Sequence, residues 1–302
     1  TKASFVLRER SIPCSKALLL AWKNQMKIDL LGVKINAEPK ETILREIGGL
    51  LQKGRPIFIT TPYSESVVAA QKDEEFRNVL NSADFALPDG IGLLWAAKFL
   101  NTPPPQAWGG QGRGRWFWLV GELLKSLLAI IFYPKYIRDP IPEKISGSEF
   151  VWDLTRLAAQ NNYSIYLLGG FAQTAALVAQ RLKSLFPNLK IAGTYPGNPS
   201  EQGIVEKING ARPDFLFVAF GPKTQEKWIS QSLPKLRIRL AIGLGGTFDY
   251  LAGKRPYRPK KWALRGLEWL WRLLTQPWRL GRIFRGVGGL IYYSFRFKVK
   301  QL

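Results

Sequence analysis

Four β-rich runs decide the fold: YSIYLLGG (163–170), LKIAGTYPG (189–197), DFLFVAFG (214–221) and RLAIGLGG (239–246). Each is short, rich in β-branched or aromatic residues and ends in glycine, and helix-like segments separate them. Strands alternating with helices at this spacing predict a doubly wound, mostly parallel, Rossmann-like α/β sheet with ligands at the strands' C-terminal ends. Working outward towards the N-terminus, KIDLLGVKIN (27–36) reads as a strand or hairpin. A helix follows from about Pro39 to Gln52, with proline near its start, where its missing N–H costs nothing. The run Ile57–Thr61 is a further strand, helical segments extend to Ser82, and DFALP is strand-like before Asp89. These pieces set an α/β core over residues 26–253.

Between the two αβ stretches lies a different kind of segment. GGQGRGR (109–115) reads as a basic linker, and WFWLVGELLKSLLAIIFY (116–133) carries only Glu122 and Lys125 as charges. On a helix Arg115, Glu122, Lys125 and Ser126 share one narrow stripe, and the rest of the surface is almost wholly apolar. Arg113 and Arg115 precede it, and Lys135 and Arg138 follow. Such a helix is either buried in a core or lies at a membrane interface, and 18 residues is short for a full span. The flanking cations favour a membrane-associating helical insertion over about 109–139.

Charge points the same way. The 302 residues hold 44 Lys and Arg against 22 Asp and Glu, a net of +22, so an anionic partner is expected. From Lys254 onward there are 13 Lys/Arg and one acid, Glu268, together with Trp262, Trp269, Trp271 and Trp278. A basic, Trp-rich appendage over 254–302 suits a lipid headgroup boundary, and also single-stranded nucleic acid. Histidine is absent and Cys14 is the lone cysteine, which removes histidine acid/base chemistry, His-ligated zinc and any internal disulfide. No Asp-x-Asp triplet is present. The apolar run 17–22 is too short for a signal-peptide core, so a cytoplasmic setting is expected.

Chemistry must therefore come from carboxylates, hydroxyls, amides and cations. Asp89, in LPDGIG (87–92), is placed either to cap the helical run Ile91–Leu100 or to act as a base at a strand's C-terminal end. Thr61, in ITTPYSE (59–65), either caps the next helix or binds substrate. Gly169 and Gly170 in LLGG, and Gly245 and Gly246 in GLGG, are tight turns or places where backbone N–H groups meet a phosphate. In GPKTQE (221–226), ahead of a helix starting near Trp228, Gln225 and Glu226 have capping roles open, and Gln225 a base- or sugar-reading one. Arg265, Arg272 and Arg279 are spaced by seven and stack on one face of a helix that Pro277 must kink; Arg282 and Arg285 follow. Arginine favours forked contacts to phosphate.

Taken together, TTPYSE, AAQKDEEF, LPDGIG, ISGSEF, YLLGG, GPKTQE, GLGGTFD, LAGK and GLEWLWRLLTQPWRLGR resemble, in order and spacing, the WecG/TagA/CpsF family of glycosyltransferases, over roughly Met26 to Arg285. The resemblance implies inverting transfer of N-acetylmannosamine, its uronic acid or a related hexose from a UDP-sugar donor to a polyprenyl-diphosphate-linked sugar, with no obligate metal and no cofactor. It implies Asp89 as general base with Thr61 beside it, and Gln225 in a donor pocket that takes in Glu226 and the glycine turns 169–170 and 245–246. Arg272, Arg279 and Arg282 correspond to arginines at a donor or lipid diphosphate. The implied setting is the cytoplasmic face of the plasma membrane, peripheral or monotopic on an anionic surface, with no nucleic-acid partner and a homo-oligomer allowed. Three departures stand out: Tyr63 occupies a place where most members carry asparagine, Thr224 separates Pro-Lys from Gln-Glu, and the segment between Trp108 and Asp139 is an insertion relative to the compact members. A basic nucleic-acid-binding protein and a catalytically silent sugar-nucleotide binder are the competing readings.

Overall fold

The computed structural model describes residues 27–105, 113–171, 173–256, 274–275 and 280–301. An antiparallel hairpin, β1 (Lys27–Leu30) and β2 (Val33–Asn36), comes first, turning through Leu31 and Gly32, both at positive φ. The sheet contains β3 (Ile57–Thr60), β4 (Phe85–Ala86), β5 (Ser164–Gly169), β6 (Lys190–Tyr195), β7 (Phe215–Ala219) and β8 (Leu240–Gly243) in the order β4-β3-β8-β7-β5-β6. Every neighbouring pair is parallel. The expected doubly wound α/β sheet is therefore present, and all six of its strands fall within the runs read from the sequence.

The helices are α1 (Lys40–Leu51), α2 (Ser64–Ala70), α3 (Glu74–Ser82), α4 (Ile91–Asn101), α5 (Arg113–Phe132), α6 (Gly147–Gln160), α7 (Thr174–Leu185), α8 (Ile204–Ala211), α9 (Thr224–Ser232), α10 (Thr247–Leu251), α11 (Leu280–Ile283) and α12 (Gly289–Gln301). A π-helical turn, Phe284–Gly288, joins the last two. Strand periodicity divides the core. Ile57, Ile59, Phe215, Phe217, Leu240 and Ile242 face α1, α6, α7 and α10, while Phe58, Leu216, Val218 and Ala241 face α8 and α9. A third core lies beyond the β4 edge, where the hairpin, α2, α4, α5 and α12 pack around Trp95, Phe99, Leu119 and Leu290.

Two sequence expectations need correction. Helix α5 begins at Arg113, so the basic end of the linker is its first turn; residues 109–112 lie outside the described set. Helix α9 begins at Thr224, four residues before Trp228, because the chain leaves β7 through Gly221 and turns at Lys223, itself at positive φ. No helix among the described residues is long and apolar enough to cross a membrane, which removes the spanning arrangement for 116–133. The polar stripe of α5 is split: Glu122 is 6% exposed and Ser126 fully buried, whereas the Lys125 side chain is exposed. The heptad-spaced segment holding Arg265, Arg272, Trp271 and Arg279 lies outside the described residues, as do Cys14 and the run 17–22.

Candidate functional site

The C-terminal ends of the strands assemble the site. Thr60 pairs with Ala86 across β3 and β4, so the loops Thr61–Tyr63 and Leu87–Gly90 leave the sheet side by side. The Leu87 N–H donates to the Thr60 carbonyl at 2.8 Å and the Asp89 N–H to the Pro62 carbonyl at 2.9 Å. A third segment joins them where the Ile145 N–H donates to the Pro88 carbonyl at 2.9 Å. That contact carries ISGSEF to the first turn of α6, and there the Gly147 N–H donates to Asp89 Oδ2 at 3.2 Å. A Cβ built on Gly147 would lie 3.2 Å from both Cγ2 and Oγ1 of Thr61. Asp89 and Thr61 thus flank one glycine, and the half-buried carboxylate lies at the N-terminal end of α6.

This geometry resolves the capping alternatives. The N-cap of α4 is Gly90 and that of α2 is Tyr63, so neither Asp89 nor Thr61 occupies the cap position of the helix that follows it. Sequence reasoning assigned no role to Gly147, although ISGSEF was a visible motif. Only the fold shows that residues 58 positions apart share a hydrogen bond.

The other strands contribute turns. Gly169 and Gly170 have φ of 90° and 81°, and a Cβ on Gly169 would come within 2.8 Å of the Ala219 carbonyl, so β5 and β7 leave the sheet in close contact. Gln225 is 4% exposed; its Oε1 accepts the Gly245 N–H at 2.8 Å and its Nε2 donates to Glu226 Oε1 at 2.8 Å. Gln225 therefore braces the β8 turn, with Gly245 against its side chain and Gly246 at the N-cap of α10. Glu226 is buried beside it, and burial pushes its carboxyl above the usual range. Its Oε2 makes no hydrogen bond among the described residues. Lys254, from LAGK, donates to Thr174 Oγ1 at 2.7 Å and brings a cation to the turn after Gly170, a role the sequence alone did not suggest.

Of the three sequence-selected arginines, Arg282 is described, and it reaches Tyr63 at the end of the loop after β3. Its guanidinium donates to Glu65 Oε2 and to the Tyr63 hydroxyl, and lies 5.7 Å from the Tyr63 ring centroid. Burial pushes the Tyr63 phenol well above its ordinary range, so the protonated hydroxyl accepts from Arg282 while donating to Glu65 at 3.2 Å. Tyr63 thus helps to dock the C-terminal unit onto α2. A cleft of about 350 Å³ opens here, lined by Tyr63, Glu65, Pro222, Lys223 and Arg282 among others. Lys223, also unforeseen, borders a second cleft of about 330 Å³ with Asp73, Thr224 and Lys227. Among the described residues no three His, Cys, Asp or Glu gather as a metal-ligand set.

The site residues lie in segments that recur in known proteins. The sequence profile described as "Glycosyl transferase WecG/TagA/CpsF family" matches residues 28–111 and 128–301, passing over 112–127, most of α5. An N-acetylglucosaminyldiphosphoundecaprenol N-acetyl-beta-D-mannosaminyltransferase of Bacillus subtilis (strain 168) is 30% identical over 227 residues, 74% of each chain. One of the same description from Bacillus spizizenii is 29% identical over 234 residues, 77% of each chain. Another, from Staphylococcus aureus (strain MRSA252), is 22% identical over 263 residues, 86% of this chain and 89% of its own. With the profile covering both halves of the sheet, the strand-end loops and the C-terminal helices, this chain belongs to the WecG/TagA/CpsF family of glycosyltransferases.

Proposed function

We propose that the chain transfers N-acetylmannosamine, or a closely related hexose, from a UDP donor to a polyprenyl-diphosphate-linked N-acetylglucosamine, with inversion and without a required metal. The observation that carries this reading is the pairing of Asp89 and Thr61 around Gly147 at the strands' C-terminal ends. In the step, the acceptor hydroxyl attacks C1 of the donor sugar and its proton passes to the Asp89 carboxylate. The C1–O bond to phosphate breaks, and UDP leaves with the electron pair. Thr61 orients the acceptor hydroxyl beside the base. Gln225, Glu226 and the glycine turns 169–170 and 245–246 form the donor side. The charge that develops on the leaving diphosphate meets Arg282, joined in this reading by Arg272 and Arg279.

The working unit is then an α/β core, 26–253, completed by the basic appendage, 254–302, at an anionic membrane on its cytoplasmic face. Relatives act on undecaprenol-linked acceptors by their descriptions, and the Arg282–Glu65 and Arg282–Tyr63 contacts support an appendage that closes on the core. The test is transfer from a panel of UDP-sugars to a synthetic N-acetylglucosamine-diphosphate-lipid in EDTA, comparing wild type with Asp89→Asn and Arg282→Ala. Transfer that collapses in both variants is expected. Tight UDP binding with no transfer to any acceptor would leave a silent binder instead.

A further inference from the structure

Helix α5 is apolar on its packed face and on its outward face. A helix on the surface of a water-soluble protein turns its apolar stripe to the core and its charges to solvent. In α5 Leu119 and Ala129 are buried together with Glu122 and Ser126, whereas most of the outward face is again apolar. Glu122 accepts from the Tyr136 hydroxyl at 2.5 Å, and Ser126 accepts from the Trp95 indole N–H at 3.0 Å. The outward face carries Phe117, Leu124, Leu128 and Phe132, which are 67%, 57%, 56% and 78% exposed. The first three are spaced by seven and four residues, so they form one stripe. Water is a poor solvent for such a stripe, and inward polar contacts fix its direction.

We propose that the outward face of α5 is a lipid-docking surface that inserts into the outer part of one leaflet of an anionic membrane. This rests on the reading of the chain as a membrane-surface enzyme and specifies the surface that docks. Three observations choose lipid over a second copy of the chain. Residues 115–138 carry four cations against one acid, and 280–301 carry five cations and no acid, so like charge would oppose self-association while anionic headgroups complement it. Helix α12 touches the first turns of α5, with Trp116 and Phe295 meeting edge to face at 5.5 Å, and it carries the exposed cations Arg296 and Lys300. Helix α5 also packs on α4, which begins two residues after Asp89, so docking would hold the site close to a lipid-linked acceptor. The family profile passes over 112–127, the stretch that holds Phe117 and Leu124, and resumes at Leu128.

The test uses the full chain and vesicles of phosphatidylglycerol and phosphatidylethanolamine. The quadruple variant Phe117→Ser, Leu124→Ser, Leu128→Ser, Phe132→Ser is compared with wild type and with Leu177→Ser, Leu185→Ser on α7. At high salt, where the electrostatic part is screened, the quadruple variant should partition at least about a hundredfold more weakly, while the α7 variant matches wild type. Its Tm, and its transfer to a water-soluble short-chain acceptor, should stay at the wild-type level. Loss of partitioning in a preparation that transfers to no acceptor at all would support docking and remove the transferase reading. Unchanged partitioning overturns the proposal. So does wild-type binding that vanishes at high salt. Unchanged partitioning with a lower Tm would mean that the chain covers the face itself, and with a dimer-to-monomer change that a second copy does.

Discussion

Gly147→Ala separates the site from the fold. The new methyl would meet Thr61 Cγ2 and Oγ1 at 3.2 Å, whereas carbon atoms settle at about 3.5–4.0 Å, so Thr61 or the start of α6 must give by about 0.3–0.8 Å. The Gly147 N–H that reaches Asp89 moves with the backbone. Alanine is favoured over glycine in a helix by roughly 0.5–1 kcal/mol, which offsets part of the steric cost, so net stability should change by no more than about 1 kcal/mol. That corresponds to a Tm change within about 4 °C in either direction. Activity should respond more. A displacement of about 1 Å costs on the order of a hundredfold in a well-oriented site, so a loss of roughly ten- to a hundredfold in kcat is expected. Initial-rate assays with saturating donor and acceptor, alongside thermal melts, read the two quantities. A variant within twofold of the wild-type rate would refute the placement of Thr61 and Asp89 in the chemistry, and a Tm drop of ten degrees would show that Gly147 serves folding instead.

Other outcomes follow from the same contacts. Asp89→Asn keeps an acceptor for the Gly147 N–H but cannot take a proton, so rate should fall by about 10²–10⁴ with Tm unchanged; preserved rate would exclude Asp89 as the base. Because burial raises the Glu226 pKa, its stabilising neutral form is fully populated below about pH 4.5 and is lost as pH rises through the folded value. Glu226→Gln should therefore gain stability relative to wild type between pH 5 and pH 8, seen as a widening gap in urea midpoints; a constant gap would contradict the burial argument. Ser126→Leu should cost about 2–4 kcal/mol by overpacking the α4–α5 contact and stranding the Trp95 N–H, whereas Leu124→Ser should be nearly neutral in urea unfolding. The reverse order would mean that α5 is turned the other way.

The sheet was legible because its signal is local. A parallel strand buried on both faces must be a short apolar run, and DFLFVAFG and RLAIGLGG could be little else. The pairing order was not legible, since β8 lies beside β3 through contacts between Ile57 and Leu240, far apart in the chain, as well as beside the nearby β7. The site divides in the same way. Asp89 and Thr61 announce themselves as polar groups where strands end, yet the glycine between them comes from another element. Tyr63 reads as a lost substrate contact until Arg282 arrives from the far end of the chain. Lys223 and Lys254 looked like members of a general positive charge, and only the fold selects them from the rest.

Helix α5 shows why composition alone left its placement open. An 18-residue run with one acid and one lysine is compatible with a core, an interface or a bilayer, because periodicity reports that two faces differ without saying which turns inward. The contacts identify the face that packs on the protein. Burying Glu122 and Ser126 is tolerable only with partners, and Tyr136 and Trp95 supply those partners. Leu119 and Ala129 share that packed side, so α5 buries apolar surface against the protein and still presents a second apolar stripe outward. Retaining a serine and a glutamate on the packed side leaves the greasy stripe free of intramolecular work. On the docking proposed above that freedom would have a use: a lipid-linked acceptor, of the kind the descriptions of relatives name, is confined to a plane, and an enzyme that bound the plane would meet it in two dimensions instead of three.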